Sequence, residues 1–261
     1  MSEMFSATQP RIDPASLVGK AISGVCPVCG REAVFSGFSE NERESGFCSE
    51  CGSFNRQRQI AIQIRSVVGC PLRGPLSFPD GFAIYNTESN GALHRQLSAC
   101  PKYVCSEYFG HHVEGGALVD GVMHQDLQHL SFAKDQFNLV LSSDVFEHMP
   151  RPYDAHREVF RILKSGGRHI FTVPFSPADH LDDVRAEMID GEIVYHGEKM
   201  FHGDPVRPDS GVLVWTIFGR QMLDELRVIG FRTTFENIYY PDSGIFGPFS
   251  IVFDARKPES E

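Results

Sequence analysis

Apolar positions recur along the chain at two spacings. Short runs alternate or are continuously apolar over 82–86, 102–106, 119–124, 137–142, 167–173, 231–238 and 249–254, which predicts seven strands. Between them the spacing turns helical. Over 152–164, Ala155, Val159, Ile162 and Leu163 share one face, Pro152 suits a first turn, and Gly166 beyond Lys164 predicts a stop. Over 218–229, Met222, Leu223, Leu226 and Ile229 do the same, with Gly230 following. An earlier run, Ile60, Ile62, Ile64, Val67 and Val68, predicts a packing helix. After it "CPLRGPLSFPDG", residues 70–81, holds three prolines and two glycines and must be loop.

Strands alternating with helices imply an α/β fold: a Rossmann-like, seven-stranded, mostly parallel sheet with helices on both faces. Ligands of such sheets sit beyond the carboxyl ends of the strands. The expected organisation is an N-terminal arm (1–22), a small cysteine module (23–57), a connecting helix and loop (58–81), and a main domain (82–255). Residues 176–216 break the α/β rhythm and are expected to form a lid-like insertion.

The module is defined by CPVCG and CSECG, which place Cys26, Cys29, Cys48 and Cys51 in two CxxC turns. Four soft ligands close a tetrahedral zinc shell, and a full shell leaves no open position, so the expected metal is structural zinc in a ribbon. Gly30 and Gly52 are expected to turn the chain with amides facing the sulfurs. Two redox CxxC pairs, or four buried thiols, remain as alternatives. Cys70, Cys100 and Cys105 read as inert thiols.

Charge narrows the partners. The net charge of −10 leaves no basic face for nucleic acid, and Arg56, Arg58 and Arg65 form the only mild concentration of cations. No run of about 18 apolar residues suggests a membrane span. The first residues lack the pattern of a secretory signal, and the paired cysteines suit a reducing compartment, so a cytoplasmic location is expected.

The stretch 124–175, "HQDLQHLSFAKDQFNLVLSSDVFEHMPRPYDAHREVFRILKSGGRHIFTVPF", resembles the central part of class I S-adenosylmethionine-dependent methyltransferases of the type 11 kind. Those have an acidic residue plus Leu, then an F-D-apolar-V strand, then EH, then R-apolar-L-K-P-G-G. With the strand order around it the resemblance extends over about 82–255. It implies S-adenosylmethionine as cofactor. The loop Tyr85, Asn86, Thr87, Glu88, Ser89 and Gly91 stands at the family's Gly-rich cofactor turn. Glu107 matches the acidic residue that binds the ribose hydroxyls, and Asp126 with Leu127 the pair at the adenine. Ser143 and Asp144 match the stretch beside the methionine part and the acceptor.

Three positions depart from the pattern: Asn138 for Asp, Ser165 for Pro, and Tyr85 for the acidic residue before the turn. Glu88 is the expected replacement partner for the methionine ammonium, with Thr87, Ser89 and Asn90 as donors to its carboxylate. The alternative is that these residues only cap the next helix, with Asn90 as N-cap. His148 is the first candidate base, and His202 and Asp204 in the insertion are the second, for proton transfer or acceptor binding. A metal site in the insertion is conceivable, though His-Gly-Asp spacing is common.

Three functions compete. The first is methyl transfer to a small-molecule or carrier-bound acceptor. The second is an S-adenosylmethionine cyclase or lyase releasing methylthioadenosine, for which the Tyr85 and Asn138 departures leave room. The third is a non-catalytic zinc-ribbon interaction protein.

Overall fold

The computed structural model describes Ile12 and residues 14–203, 211–247 and 250–259. They fall into two compact units. The first comprises the described residues up to Ser77, Gly91–Gln96 and those within Glu236–Val252; the second comprises Phe78–Asn90 and the described residues within Leu97–Phe235 and from Phe253 on.

In the first unit, β1 (Ile22–Val25), β2 (Glu32–Ser36) and β3 (Phe47–Cys48) form an antiparallel sheet. Helix α1 (Asn55–Val68) follows and ends at Gly69 in the left-handed conformation that a C-terminal turn requires. The predicted helix began near Ile60, but it starts five residues earlier because its first turns are buried through polar side chains, Asn55, Gln57, Arg58 and Gln59 among them. Apolar periodicity is blind to a face of that kind.

In the second unit the elements are β4 (Ala83–Asn86), then α2 (Gly91–Leu97), of which only Leu97 belongs here, β5 (Lys102–Cys105), the hairpin β6 (Leu118–Val119) and β7 (Val122–Met123), β8 (Phe137–Ser143), α3 (Pro152–Ile162) and β9 (Leu163–Thr172). The insertion contributes β10 (Asp183–Val184), β11 (Ala186–Ile189), β12 (Glu192–Tyr195), β13 (Phe201–His202), β14 (Val212–Leu213) and β15 (Thr216–Ile217). These pair as three two-stranded ladders. Then come α4 (Gln221–Ile229), β16 (Arg232–Asn237), which belongs here up to Phe235, and β17 (Ile251–Arg256), which belongs here from Phe253.

Among the described residues the main sheet has six strands, not seven, in the order β16-β17-β9-β8-β4-β5. It is mixed: β5, β4, β8 and β9 run parallel, and β17 is antiparallel to β9. The predicted strand 119–124 is instead the separate β6–β7 hairpin, followed by one isolated parallel bridge between His124 and Glu107, just beyond β5. Asp120 and Gly121 at its tip both have positive φ, 48° and 82°, as a two-residue primed turn needs. The Asp-Gly pair was the signal for two strands.

Two further expectations shift. Helix α3 stops at Ile162, and β9 begins at once at Leu163. Gly166 therefore does not end the helix. It has φ 76° inside a bulge, where the β8 pairing jumps from Phe137↔Leu163 to Leu139↔Arg168. Helix α4 starts at Gln221 because Phe218 bridges to Phe175. The core of this unit is apolar and aromatic: Tyr85, Phe137, Leu139, Phe146, Ile170, Phe171 and Phe253 are each at most 1% exposed.

Candidate functional site

Parallel pairing aligns the strand ends. Asn86 lies beside Cys105 on one side and Leu141 on the other, and Ser143 lies beside Thr172. The segments that leave β4, β5, β8 and β9 therefore emerge at one rim of the sheet, where such folds place their ligands. Backbone bonds hold that rim together. Thr87 N donates to Leu141 O at 3.1 Å, Ser106 N to Asn86 O at 3.2 Å, and Asp144 N to Thr172 O at 3.0 Å. Glu107 N donates to Met123 O at 3.0 Å and Gln125 N to Glu107 O at 3.1 Å, which carries the rim on to Asp126.

Glu107 braces the loop after β4. Its Oε1 accepts from Ser89 N at 2.8 Å and from Ser89 Oγ at 2.9 Å, while Oε2 has no hydrogen-bond partner among the described residues. Thr87 is 9% exposed, and its Oγ1 is buried without a hydrogen-bond partner among the described residues. An orphaned buried hydroxyl is costly unless something else bonds it. Asn86 is buried and donates through Nδ2 to Glu88 O at 2.8 Å and to Tyr103 Oη at 3.1 Å, so it shapes the loop. Gly91 opens α2 with φ 85°, a conformation that favours glycine. Asp126 is half-buried and accepts from Gln128 N through Oδ1 at 2.9 Å. Leu127 packs in the core at 6% exposure.

Tyr85 corrects one expectation. Placed by resemblance among the cofactor-binding residues, it is wholly buried in the core, against the rings of Phe132 and Phe137, with its hydroxyl 2.8 Å from Ser106 Oγ. Burial pushes its phenol well above the usual range. It faces no ligand. Asn138, a second departure, sits at the amino end of β8, away from the rim. There its Oδ1 accepts from Ala83 N at 3.0 Å and Lys164 Nζ at 2.8 Å.

After β8 the chain turns sharply. Asp144 has φ 51°, a left-handed conformation uncommon for a residue other than glycine, and its Oδ1 accepts from Thr172 Oγ1 at 2.8 Å. Ser143 is 8% exposed beside it. A 3-10 turn over Phe146–His148 follows. Here the insertion returns to the rim. Trp215 N donates to Glu147 O at 2.7 Å, and His148 Nδ1 lies 2.9 Å from Leu213 O. The β13–β14 ladder sets His202 opposite Val212, which brings its ring 5.1 Å from that of His148, edge to face. Glu147, which the sequence places among the pocket-facing residues after this strand but to which it assigns no role, is fully buried, with Oε1 3.6 Å from His148 Nε2 and 3.8 Å from His202 Nδ1. The acid before the histidine in EH was its visible signal. Asp204, the third catalytic candidate, lies outside the described residues.

The first unit holds the cysteine site. Cys26, Cys29, Cys48 and Cys51 converge, with Sγ of Cys26 and Cys51 3.7 Å apart. A tetrahedral shell with Zn–S bonds of ~2.3 Å puts its sulfurs roughly 3.7–3.8 Å apart, whereas a disulfide needs ~2 Å. The glycine amides differ from expectation. Gly30 N donates to Cys26 O at 2.7 Å and Gly52 N to Cys48 O at 2.9 Å, so they close the turns backbone to backbone. Each has the positive φ the turn requires, 70° and 74°.

Beside this site lies Arg58, missed as a support. It is fully buried, donates to Ser53 O and to Gly244 O at 2.8 Å, and rests over the Phe35 ring at 4.6 Å. Burial pushes its guanidinium down to about 10, against the opposing pull of Cys26, Cys48 and Cys51. Four thiolates on a divalent ion carry net charge −2, and a buried cation is the fitting counterweight. The donor set and its surroundings fit zinc.

Comparison with known proteins bears on the second unit. Residues 96–171 match the family of methyltransferase domains. Among solved structures, the chain is similar to a 1,6-didemethyltoxoflavin N1-methyltransferase of Burkholderia thailandensis with bound S-adenosylhomocysteine, at 14% identity, 78% and 79% coverage of the two chains and a TM-score of 0.46. It is similar to a methyltransferase complex with the Trm112 activator from Haloferax volcanii, at 14% identity, 79% and 91% coverage and a TM-score of 0.46. A third likeness is to the cyclase SpnF, at 14% identity, 86% and 88% coverage and a TM-score of 0.47. No curated protein matches the chain. Among the described residues no helix is long and apolar enough to cross a membrane.

Proposed function

We propose that the chain is an S-adenosylmethionine-dependent methyltransferase acting on a small-molecule or carrier-bound acceptor. The observation that carries this reading is the strand-end rim at which Glu107 keeps Oε2 open beside a loop with an orphaned Thr87 hydroxyl. The methyltransferase-domain match over 96–171 covers Glu107, Asp126 and the EH turn. When bound, the cofactor supplies an electrophilic methyl group on a sulfonium.

The chain's own residues then bind and orient. Glu107 accepts from the ribose hydroxyls, a task that suits a carboxylate already fixed through its other oxygen. Asp126 accepts from the adenine amino group through Oδ2, since Oδ1 is held by Gln128. Glu88 pairs with the ammonium in place of the acid that Tyr85 displaces, and Thr87, Ser89 and Asn90 donate to the carboxylate. Ser143 and Asp144 border the methyl group, and the Glu147, His148 and His202 cluster meets the acceptor. Alignment supplies much of the acceleration in such a displacement, and a base is needed only for a protonated acceptor. Zinc on the four cysteines folds the first unit, and a reducing cytoplasm suits it. The net charge of −10 disfavours a nucleic-acid acceptor.

The departures that left room for a lyase are structural. Tyr85 is in the core and Asn138 is at the amino end of its strand, which supports methyl transfer over the lyase. Incubation with S-adenosylmethionine tests the proposal through the nucleoside released. Acceptor-dependent S-adenosylhomocysteine supports it; methylthioadenosine formed without acceptor replaces it with the lyase, and absence of binding replaces it with the interaction protein. Glu107→Ala should weaken cofactor binding by about 1–3 kcal/mol in calorimetry, and unchanged affinity removes the ribose assignment.

A further inference from the structure

We infer a second metal site: a divalent transition-metal ion held by a Glu147 carboxylate oxygen, His148 Nε2 and His202 Nδ1, with coordination positions left open. It is separate from the cysteine site and from the cofactor contacts proposed above, and it needs neither to hold.

The three donor atoms lie within 4.8 Å of one another. They come from two parts of the second unit that nothing in the sequence links, the turn after β8 and the β13 strand of the insertion. The tautomer of His148 is fixed from outside. Leu213 O can only accept, so at 2.9 Å the proton belongs on Nδ1. In the neutral ring Nε2 then carries a lone pair, and it faces Glu147 Oε1 at 3.6 Å. Two acceptors facing each other repel unless a cation lies between them. A proton would draw the pair to about 2.7–2.9 Å, the span of a charge-assisted hydrogen bond. A metal ion does the reverse: with bonds of ~2.0–2.2 Å it holds tetrahedral ligands roughly 3.3–3.5 Å apart. The observed 3.6 Å and 3.8 Å lie on the metal side of that division.

Orientation agrees. A metal-binding histidine characteristically donates its other ring N–H to a backbone carbonyl or carboxylate, which fixes the ring and aims the ligand nitrogen. His148 does this through Leu213. Glu147 is held by its own backbone carbonyl, which accepts from Trp215 N, and its side chain is fully buried. His202 is 39% exposed at the side chain, which leaves a side from which an ion and then a further ligand can enter. Two imidazoles and one carboxylate suit zinc, iron(II), manganese or cobalt better than calcium or magnesium, and three protein ligands are the number typical of open sites. On the methyltransferase reading, an open position would take an acceptor oxygen and lower its pKa.

The test uses the full chain, purified with its cysteine site filled with zinc and without S-adenosylmethionine, so that its outcome is independent of the proposed reaction. Cobalt(II) is added, with bound metal counted by equilibrium dialysis and visible spectra recorded. The expected result is one exchangeable equivalent with ligand-field bands and no sulfur-to-cobalt charge transfer. His202→Ala, on a half-exposed strand, and Glu147→Gln should each weaken uptake at least about tenfold. Fluorescence of Trp215, the chain's single tryptophan, reports that the variants remain folded. No exchangeable equivalent, or one bound equally well by both variants, overturns the site and leaves an imidazolium–carboxylate pair.

Discussion

The two units solve the problem of a stable interior in opposite ways. In the second, β8 and β9 bury Leu139, Val140, Leu141, Ile170 and Phe171, and fully burying such a side chain contributes roughly 1.5–3 kcal/mol. In the first, the buried face of α1 begins with Asn55, Arg56, Gln57, Arg58 and Gln59. Buried polar side chains along this helix, Arg65 included, are tied by specific bonds. Asn55 Nδ2 donates to Phe246 O at 2.7 Å, Gln59 Nε2 to Ser250 Oγ at 2.9 Å, and Arg65 Nε to Pro27 O at 2.6 Å. An apolar core tolerates loss of one contact. A polar interior around four thiolates fails when its charges stop balancing.

The sharpest way to break this contrast is to remove the metal. Cys48→Ser, or a strong chelator, takes away binding free energy that in small zinc modules is on the order of 10 kcal/mol. The first unit should lose its fold. Trp215 belongs to the second unit, so its fluorescence follows that unit. The expected outcome is loss of zinc with a Trp215 unfolding transition still present; a native first unit without metal would refute the contrast.

A smaller effect separates the charge of Arg58 from its size. Arg58→Met keeps a long apolar stem over Phe35 but leaves Ser53 O and Gly244 O unsatisfied and the thiolates without their cation. Removing one partner of a buried charge pair costs about 3–5 kcal/mol. Zinc release to a chromogenic chelator should therefore occur at lower urea than in the wild type. An unchanged midpoint would mean that the cysteine site needs no counter-charge.

What the sequence disclosed divides along the same line. The strands of the second unit were legible because apolar side chains follow a period of two, and β4, β5, β8, β9, β16 and β17 all fall within or overlap predicted spans. The four cysteines were legible because ligand spacing is local. The buried polar side of α1 was not, because Arg56, Arg58 and Arg65 read as a mildly basic surface until the structure buries them at 7%, 0% and 4% exposure. Nor was the meeting of Glu147 and His148 with His202, since a ladder formed far along the chain brings them together. The Asp120–Gly121 turn is legible too, although the span 119–124 is predicted as a single strand.

The smallest effect sharpens the contrast from the other unit. Beneath the rim His156 is fully buried, stacked on Phe146 at 4.1 Å, and burial alone pulls its pKa from 6.5 to about 3. His169, 2.9 Å from Ser142 Oγ, is lowered in the same sense by burial and then by His156. In the folded state both rings stay neutral. Between pH 6.5 and about 3 the unfolded chain binds the proton at His156 and the folded one does not. Stability from this residue is therefore complete above pH 6.5 and falls as the pH drops toward 3, by ~1.4 kcal/mol per unit. At pH 5 the loss is about 2 kcal/mol for this one ring. His156→Phe keeps an aromatic ring against Phe146 and cannot titrate. Urea unfolding followed by Trp215 at neutral pH and at pH 5 should show the wild type losing about 2 kcal/mol more than the variant. Equal losses would mean that the apolar unit, like its neighbour, is governed by something other than the packing around these rings.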